Sequence, residues 1–180
     1  MSEIQLKTAV LGGGCFWCLE SVFNHVQGVK AAISGYSGGQ TENPSYETIS
    51  GGNTGHAEVV KVEYNPEIIS FEEILHVFFL VHDPTVKNRQ GNDVGPQYSS
   101  VIFYADAGQE KTAGQVVKEL ADEKIYENPI VTEIVPLKKF YPAEEYHQRY
   151  FEKNPGNAYC RAQIGPKLAK LREKFNEIYK

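Results

Sequence analysis

The segment Gly12-Gly-Gly-Cys15-Phe-Trp-Cys18 places two thiols three residues apart, directly after a run of three glycines. Apolar residues recur at helical spacing from Cys15 onwards, which predicts a helix that opens on this cysteine. The unpaired N–H groups and the dipole at a helix N-terminus stabilise negative charge. We therefore expect Cys15 to lose its proton easily, and the thiolate is the nucleophilic form of cysteine. Such a pair at a strand-to-helix junction indicates redox chemistry.

Two other interpretations of the pair are a buried structural thiol and half of a zinc site. A structural zinc site takes four ligands, and Cys160 is the one further cysteine, with no second Cys or His at ligand spacing beside it. The glycine run lacks the Gly-Lys-Ser/Thr ending of a phosphate-binding loop and the third glycine of a dinucleotide turn. The sequence therefore predicts chemistry without a bound metal or organic cofactor.

Cys160 lies in a segment rich in Pro, Gly and Asn, residues 154–160, which indicates a mobile connection between two helices. A thiol on such an arm, beginning at about residue 153, can reach a distant oxidised sulfur and form a disulfide. Taken by itself, the residue is equally well explained as an incidental exposed cysteine. Beside a reactive cysteine, a resolving role is favoured.

Carboxyl and phenol groups in and beside glycine-rich loops are candidates for acid catalysis. Glu58 begins a predicted strand just after such a loop. Asp93 and Tyr98 lie in and just after a polar loop over residues 82–97, and loops of this length usually carry function. Tyr46 lies in a short helical turn. Each of these residues taken alone is more typical of a solvated, capping or packing side chain.

Hydrophobic periodicity predicts the alternating strands and helices that must position these residues. The predicted strands are residues 8–11, 29–36, 57–64, 99–104 and 130–135. The predicted helices are residues 15–26, 46–49, 70–81, 107–124, 143–152 and 167–180. Several links between strands are too short to contain a crossover helix, which favours a mixed or antiparallel sheet. We therefore expect an α+β fold of two layers, in which helices cover a central sheet.

Composition and charge limit the classes of protein to which this chain can belong. The 180 residues suit a single domain, and no repeat or low-complexity tract divides them. The formal net charge of −5 argues against nucleic acid as a partner, because phosphate binding needs a basic surface. The richest apolar run, residues 74–81, is far shorter than the roughly 20 residues of a membrane helix. With no visible secretory signal and three cysteines, the sequence predicts a cytoplasmic protein.

Groups of residues spread in order over about residues 7–160 resemble the A-type peptide methionine sulfoxide reductases. The matching segments are Gly14–Trp17, Gly35–Gly39, Asn43–Tyr46, Thr54–Val59, His82–Thr85, Arg89–Asp93, Gln97–Ser100 and Ala143–Phe151. The resemblance implies an oxidoreductase that repairs oxidised methionine by reducing its S-sulfoxide, free or within proteins, under oxidative stress. It also implies a two-layer α/β sandwich with a mixed sheet and a ferredoxin-like βαββαβ core.

The same resemblance implies a thiol mechanism. Cys15 would attack the sulfoxide sulfur and become a sulfenic acid as methionine leaves, while Phe16 and Trp17 would hold the substrate methyl group. Cys160 resembles the C-terminal recycling cysteine of the family, whereas Cys18 stands where many members carry Gly. We expect Cys160 to resolve the sulfenic acid, with Cys18 as an intermediate or an alternative, and thioredoxin to reduce the resulting disulfide.

By the same resemblance, Glu58 would bind and protonate the sulfoxide oxygen together with Tyr46 and Tyr98, and Asp93 would organise that hydrogen-bond network. An acid is needed because the oxygen is a poor leaving group until it is protonated. Glu58 can hold a proton at neutral pH only if burial raises its pKa. We therefore expect Glu58 and the two tyrosines to share one pocket with Cys15.

Two alternatives remain at this stage. A thioredoxin-like disulfide oxidoreductase would use Cys15 and Cys18 alone and would need neither Glu58 nor the tyrosines. A zinc-binding module would need further ligands for the same two thiols.

Overall fold

Eight strands and six helices build the molecule in the computed structural model, which describes residues 3–180. The strands are β1 (Lys7–Gly12), β2 (Val29–Ser37), β3 (Ala57–Tyr64), β4 (Arg89–Gln90), β5 (Asp93–Val94), β6 (Val101–Tyr104), β7 (Glu133–Pro136) and β8 (Phe140–Pro142). The helices are α1 (Phe16–Asn24), α2 (Tyr46–Ser50), α3 (Phe71–Leu80), α4 (Ala107–Asp122), α5 (Tyr150–Lys153) and α6 (Ala158–Lys174). Short 3-10 turns follow at 96–98, 145–147 and 176–178.

Six of the strands form one sheet in the order β7-β6-β1-β3-β2-β8. Strands β6 and β7 are parallel, and the other neighbours are antiparallel. Strands β4 and β5 form a separate hairpin. The protein therefore has a mixed α/β fold with a mixed sheet, as the short links between strands predict.

The sheet has apolar side chains on both faces because successive residues of a strand point in opposite directions. In β1, Leu11 lies in the large buried cluster that the helices cover, and Val10 lies in a smaller cluster on the opposite face. Helix α1 packs on β2 and β3, and α6 packs on α1. Among the described helices, none combines the length and the apolar character needed to span a bilayer.

Reciprocal capping fixes where two helices begin. At α3, the Ser70 hydroxyl accepts the Glu73 N–H at 3.1 Å, and the Glu73 carboxylate accepts the Ser70 N–H at 2.8 Å, as the sequence predicts. At α2, Ser45 and Thr48 make the equivalent pair of bonds, at 3.3 and 2.9 Å. This cap places Tyr46 at the first position of α2.

The prediction for the C-terminal third is wrong in its boundaries. The helix predicted over residues 143–152 is instead a 3-10 turn followed by the short helix α5, and β8 precedes them. The helix predicted to start at residue 167, after Pro166, starts nine residues earlier, at Ala158, so that Pro166 lies inside α6. A proline inside a helix removes a hydrogen bond, but burial of Cys160, Ile164 and Leu171 along one face offsets the cost.

Cys160 lies in a helical turn in this structure. It occupies the first turn of α6, it is fully buried, and its N–H donates to the side chain of Asn157 at 3.1 Å. The alternative of an incidental exposed cysteine is wrong for this conformation, because the helix cap and the apolar core hold the turn in place.

Candidate active site

A cavity of about 150 Å³ lies at the end of the sheet where β1 leads into α1. Its lining residues are Cys15, Phe16, Trp17, Tyr46, Glu58, Asp93, Tyr98 and Tyr159. Every site residue predicted from the sequence is thus at this cavity except Cys18 and Cys160. A larger groove of about 1110 Å³ between α3, α4 and α6 contains none of them. The smaller cavity has the size to enclose a single side chain.

The pairing of β1 with β3 brings Cys15 and Glu58 together. The strands are antiparallel with Leu11 opposite Val60, so that the start of β3 lies beside the end of β1. Cys15 then occupies the N-cap position of α1. Gly14 makes the turn possible, because its φ is +90° and a Cβ there would lie 2.6 Å from the side chain of Gln90.

Glu58 is 2% exposed, and its carboxylate oxygen Oε2 accepts the N–H of Phe16 at 3.1 Å. That N–H is one of the free amides at the start of α1. Burial raises the pKa of Glu58 to about 8, although the Phe16 N–H acts in the opposite direction. The carboxyl is therefore largely protonated at neutral pH, as the sequence-based hypothesis requires.

Two phenols face this carboxyl. Tyr46 is the first residue of α2, and Tyr98 ends the 3-10 turn that follows the β4–β5 hairpin. Burial, followed by the charge of Glu58, raises the pKa of both hydroxyls. Both tyrosines therefore keep their protons and can donate hydrogen bonds to an oxygen atom in the cavity.

Asp93 lies on β5 and accepts a hydrogen bond from the hydroxyl of Tyr159. Sequence reasoning missed Tyr159, which lies on the first turn of α6, immediately before Cys160. Burial, followed by the charge of Cys15, raises the pKa of its hydroxyl. Its position next to a candidate resolving cysteine was the one signal in the sequence.

The expectation that Cys15 ionises easily is wrong for this structure. A hydrogen bond with the side chain of Cys18, burial, and the charge of Glu58 raise the pKa of the Cys15 thiol well above its usual value. The helix N-terminus acts in the expected direction through the Trp17 N–H, but its effect is smaller. The same thiol–thiol hydrogen bond lowers the pKa of Cys18. Burial, followed by the charge of Cys18, raises the pKa of Cys160.

The aromatic wall of the cavity continues beyond Phe16 and Trp17. The Trp17 ring stacks on Tyr150 with ring centres 3.7 Å apart, and its Nε1–H donates to Nδ1 of His147 at 3.0 Å. His147 and Tyr150 lie in the segment Ala143–Phe151, whose resemblance to the family carried no assigned role. The sequence indicated that this segment matters but gave no contact for it.

The three cysteines are unpaired thiols. Within residues 3–180, the group of side chains that could hold a metal ion is Glu72, His76 and Glu119, on α3 and α4, and it includes no cysteine. The Cys15–Cys18 pair thus has no further ligands around it of the kind that a zinc site needs in the described part of the chain.

Comparisons with known proteins all return one family. A family model described as peptide methionine sulfoxide reductase matches residues 7–179. The chain is 57% identical over 171 residues to "Peptide methionine sulfoxide reductase MsrA" of Trichodesmium erythraeum, covering 95% of this chain and 97% of that protein. The crystal structure of reduced Mxr1 from Saccharomyces cerevisiae matches with a TM-score of 0.81 and 36% identity, over 90% of this chain and 93% of that one. Mxr1 in complex with Trx2 matches with a TM-score of 0.58 and 27% identity, over 83% and 87% of the two chains.

Proposed function

The chain belongs to the peptide methionine sulfoxide reductase family, and we propose that it reduces methionine-S-sulfoxide, free or within proteins, with Cys15 as the nucleophile. The observation that carries the proposal is the cavity that Cys15 shares with Glu58, a buried carboxyl whose pKa is raised to about 8. A thioredoxin-like disulfide oxidoreductase would leave that buried acid, Tyr46 and Tyr98 without a role. The reductase uses all of them.

In the first step, Glu58 donates its proton to the sulfoxide oxygen while the sulfur of Cys15 attacks the sulfoxide sulfur. Tyr46 and Tyr98 donate hydrogen bonds to the same oxygen. The protonated oxygen then passes from the substrate sulfur to the sulfur of Cys15, while the bond between the two sulfur atoms breaks, so that the products are methionine and a sulfenic acid on Cys15. The proton of the Cys15 thiol passes to the carboxylate of Glu58, so that the acid is restored and the step needs no outside proton.

The remaining lining residues hold the substrate. Phe16 and Trp17 form the apolar wall on which the S-methyl group packs. Asp93 holds the hydroxyl of Tyr159 and thereby organises the polar side of the cavity. The volume of about 150 Å³ suits one side chain, so the backbone of a protein substrate stays outside.

In the second step, a thiol attacks the sulfenic sulfur, and a disulfide and water form. We propose Cys160 as the resolving residue, with Cys18 as an intermediate. The effect of the Cys15 and Cys18 thiols on each other's pKa and the packing of α6 on α1 support this order. Thioredoxin then reduces the disulfide, and the complex of yeast Mxr1 with Trx2 supports this choice of reductant.

We further propose that residues 1–180 form one domain of two layers, a helix–sheet sandwich whose core is ferredoxin-like. The order β1-α1-β2-β3-α3-β6 along the chain and β6-β1-β3-β2 across the sheet supports this assignment. The segment from about residue 153, which carries Cys160, would be the arm that moves during resolution. Three free thiols support a cytoplasmic location.

The test is a turnover assay with each epimer of a blocked methionine sulfoxide, with thioredoxin and thioredoxin reductase as the recycling system. We expect turnover of the S-epimer, and none by the Cys15→Ser variant. Turnover of the R-epimer alone, or undiminished turnover by Cys15→Ser, would contradict the proposal.

A further inference from the structure

Two residues that do not line the cavity contact the residues that form two of its walls. His147 and Glu144 lie in the segment 143–148, for which the proposed mechanism has no role. His147 is 1% exposed and contacts the wall formed by Trp17. Glu144 contacts the wall formed by Tyr46. The two residues lie next to each other, with Nε2 of His147 3.6 Å from Oε2 of Glu144.

The imidazole of His147 lies among the aromatic rings of the site. Its ring centre is 5.0 Å from that of Phe16, 5.7 Å from Trp17 and 4.7 Å from Tyr46. An indole N–H can only donate, so Nδ1 of His147 must accept the bond from Trp17. In the neutral ring the proton is then on Nε2, the nitrogen that faces Glu144.

Glu144 connects the wall formed by Tyr46 to strand β2 of the sheet. Its carboxylate accepts the backbone N–H of Tyr46 at 3.2 and 3.3 Å, at the start of α2. It also accepts the hydroxyl of Tyr36, from β2, at 3.2 Å. A carboxylate at a helix N-terminus is well placed, since it pairs with free amides and with the helix dipole.

We propose that His147 and Glu144 are positioning residues that fix the distance between Trp17 and Tyr46 and so make the cavity selective for S-methyl sulfoxides over sulfoxides with a larger S-alkyl group. The inference rests on the proposed function. It follows because Trp17 is only half-buried, and the bond to His147 is the hydrogen bond of its indole, beside the stack on Tyr150 and an edge contact with the ring of Tyr159 at 6.3 Å. Without the bond to His147, the indole can rotate and the cavity can widen.

The test compares methionine-S-sulfoxide with ethionine-S-sulfoxide, which differs by one methylene. A fixed pocket discriminates against one methylene by about tenfold or more in kcat/KM, and we expect this of the wild-type enzyme. His147→Phe keeps an aromatic ring but removes the acceptor of the Trp17 N–H. We expect it to raise KM for the methyl substrate and to lower the discrimination about fivefold, with a smaller change in kcat.

The fluorescence of Trp17 gives a second readout, because it is the one tryptophan in the chain. We expect His147→Phe to shift its emission. His147→Asn retains a side-chain acceptor and is expected to restore both the emission and most of the discrimination. Glu144→Gln is expected to lower the discrimination in the same direction. The matched control is Glu145→Gln, since the Glu145 side chain is 91% exposed and its change should move neither readout.

Unchanged discrimination and unchanged Trp17 emission in His147→Phe would overturn the inference and leave the proposed function standing. If His147→Phe does not fold, Glu144→Gln decides: discrimination equal to that of Glu145→Gln would overturn the inference. A wild-type enzyme that reduces neither sulfoxide would overturn the inference together with the proposed function.

Discussion

The β1–β3 pair and the C-terminal segment over residues 140–160 both deliver side chains to the same cavity, but they hold them by different means. The positions of Cys15 and Glu58 follow from the backbone register of two central strands, and the N–H of Phe16, the residue after Cys15, donates to the carboxylate of Glu58. Tyr159 reaches the cavity through its hydroxyl contact with Asp93, and the turn that carries it begins at a single side-chain cap, that of Asn157.

This difference matches what each region must do in the proposed mechanism. The acid and the nucleophile must keep a fixed separation, and central strands are among the last parts of a protein to open. Cys160 starts fully buried and must reach an oxidised sulfur. A short turn held by a few side-chain contacts can open locally without unfolding the sheet.

The largest effect is expected from a change that removes the acid of Glu58 and leaves the register of β1 and β3 unchanged. Glu58→Gln keeps the size of the side chain and an acceptor for the Phe16 N–H, but it has no proton of comparable acidity to donate. We expect the rate of the first turnover, measured as methionine released without a reductant, to fall about 10²- to 10⁴-fold. Alkylation of Cys15 should stay at least as fast. A first turnover within twofold of wild type would remove Glu58 from the mechanism.

The pH dependence of the same step tests the protonation state. The pKa of Glu58 is raised to about 8, so the group is protonated below that pH and loses its proton above it. We therefore expect the rate of the first turnover to fall with rising pH above about 8, approaching tenfold per pH unit. The residual activity of Glu58→Gln should lack this decline. A wild-type rate that rises through this range would show that the thiolate of Cys15, and not the acid, limits the step.

The same contrast explains which parts of the structure could be predicted from the sequence. The predicted strand 57–64 coincides with β3, and the predicted capping box at Ser70 is present, because both depend on neighbouring residues. Pro166 led to a wrong start for the last helix, because the burial that keeps α6 continuous depends on core residues that are distant in the sequence. The three-residue strand β8 is too short to show alternation.

The features of the candidate site also differ in whether the sequence predicts them. All the residues that line the cavity except Tyr159 were predictable because family motifs carry them, and the raised pKa of Glu58 was expected from the need for an acid. The raised pKa of Cys15 was not predictable. It depends first on the interaction with the nearby thiol of Cys18, and then on burial and on the charge of Glu58 across the fold, which the local helix pattern does not reveal.

The smallest expected effect concerns the cap of α6. Asn157→Ala removes the acceptor of the Cys160 N–H, and loss of such a cap costs about 1 kcal/mol. If the turn opens locally, its open population rises about fivefold, and so should the rate at which Cys160 is alkylated in the reduced enzyme. Ser70→Ala removes a comparable cap from α3, where the hydroxyl accepts the Glu73 N–H at 3.1 Å, and should leave that rate unchanged. Mass spectrometry of the alkylated chains measures both variants. Equal acceleration in the two variants would mean that Cys160 becomes exposed only when the whole domain unfolds. The β1–β3 pair and the C-terminal segment would then have the same free energy of opening.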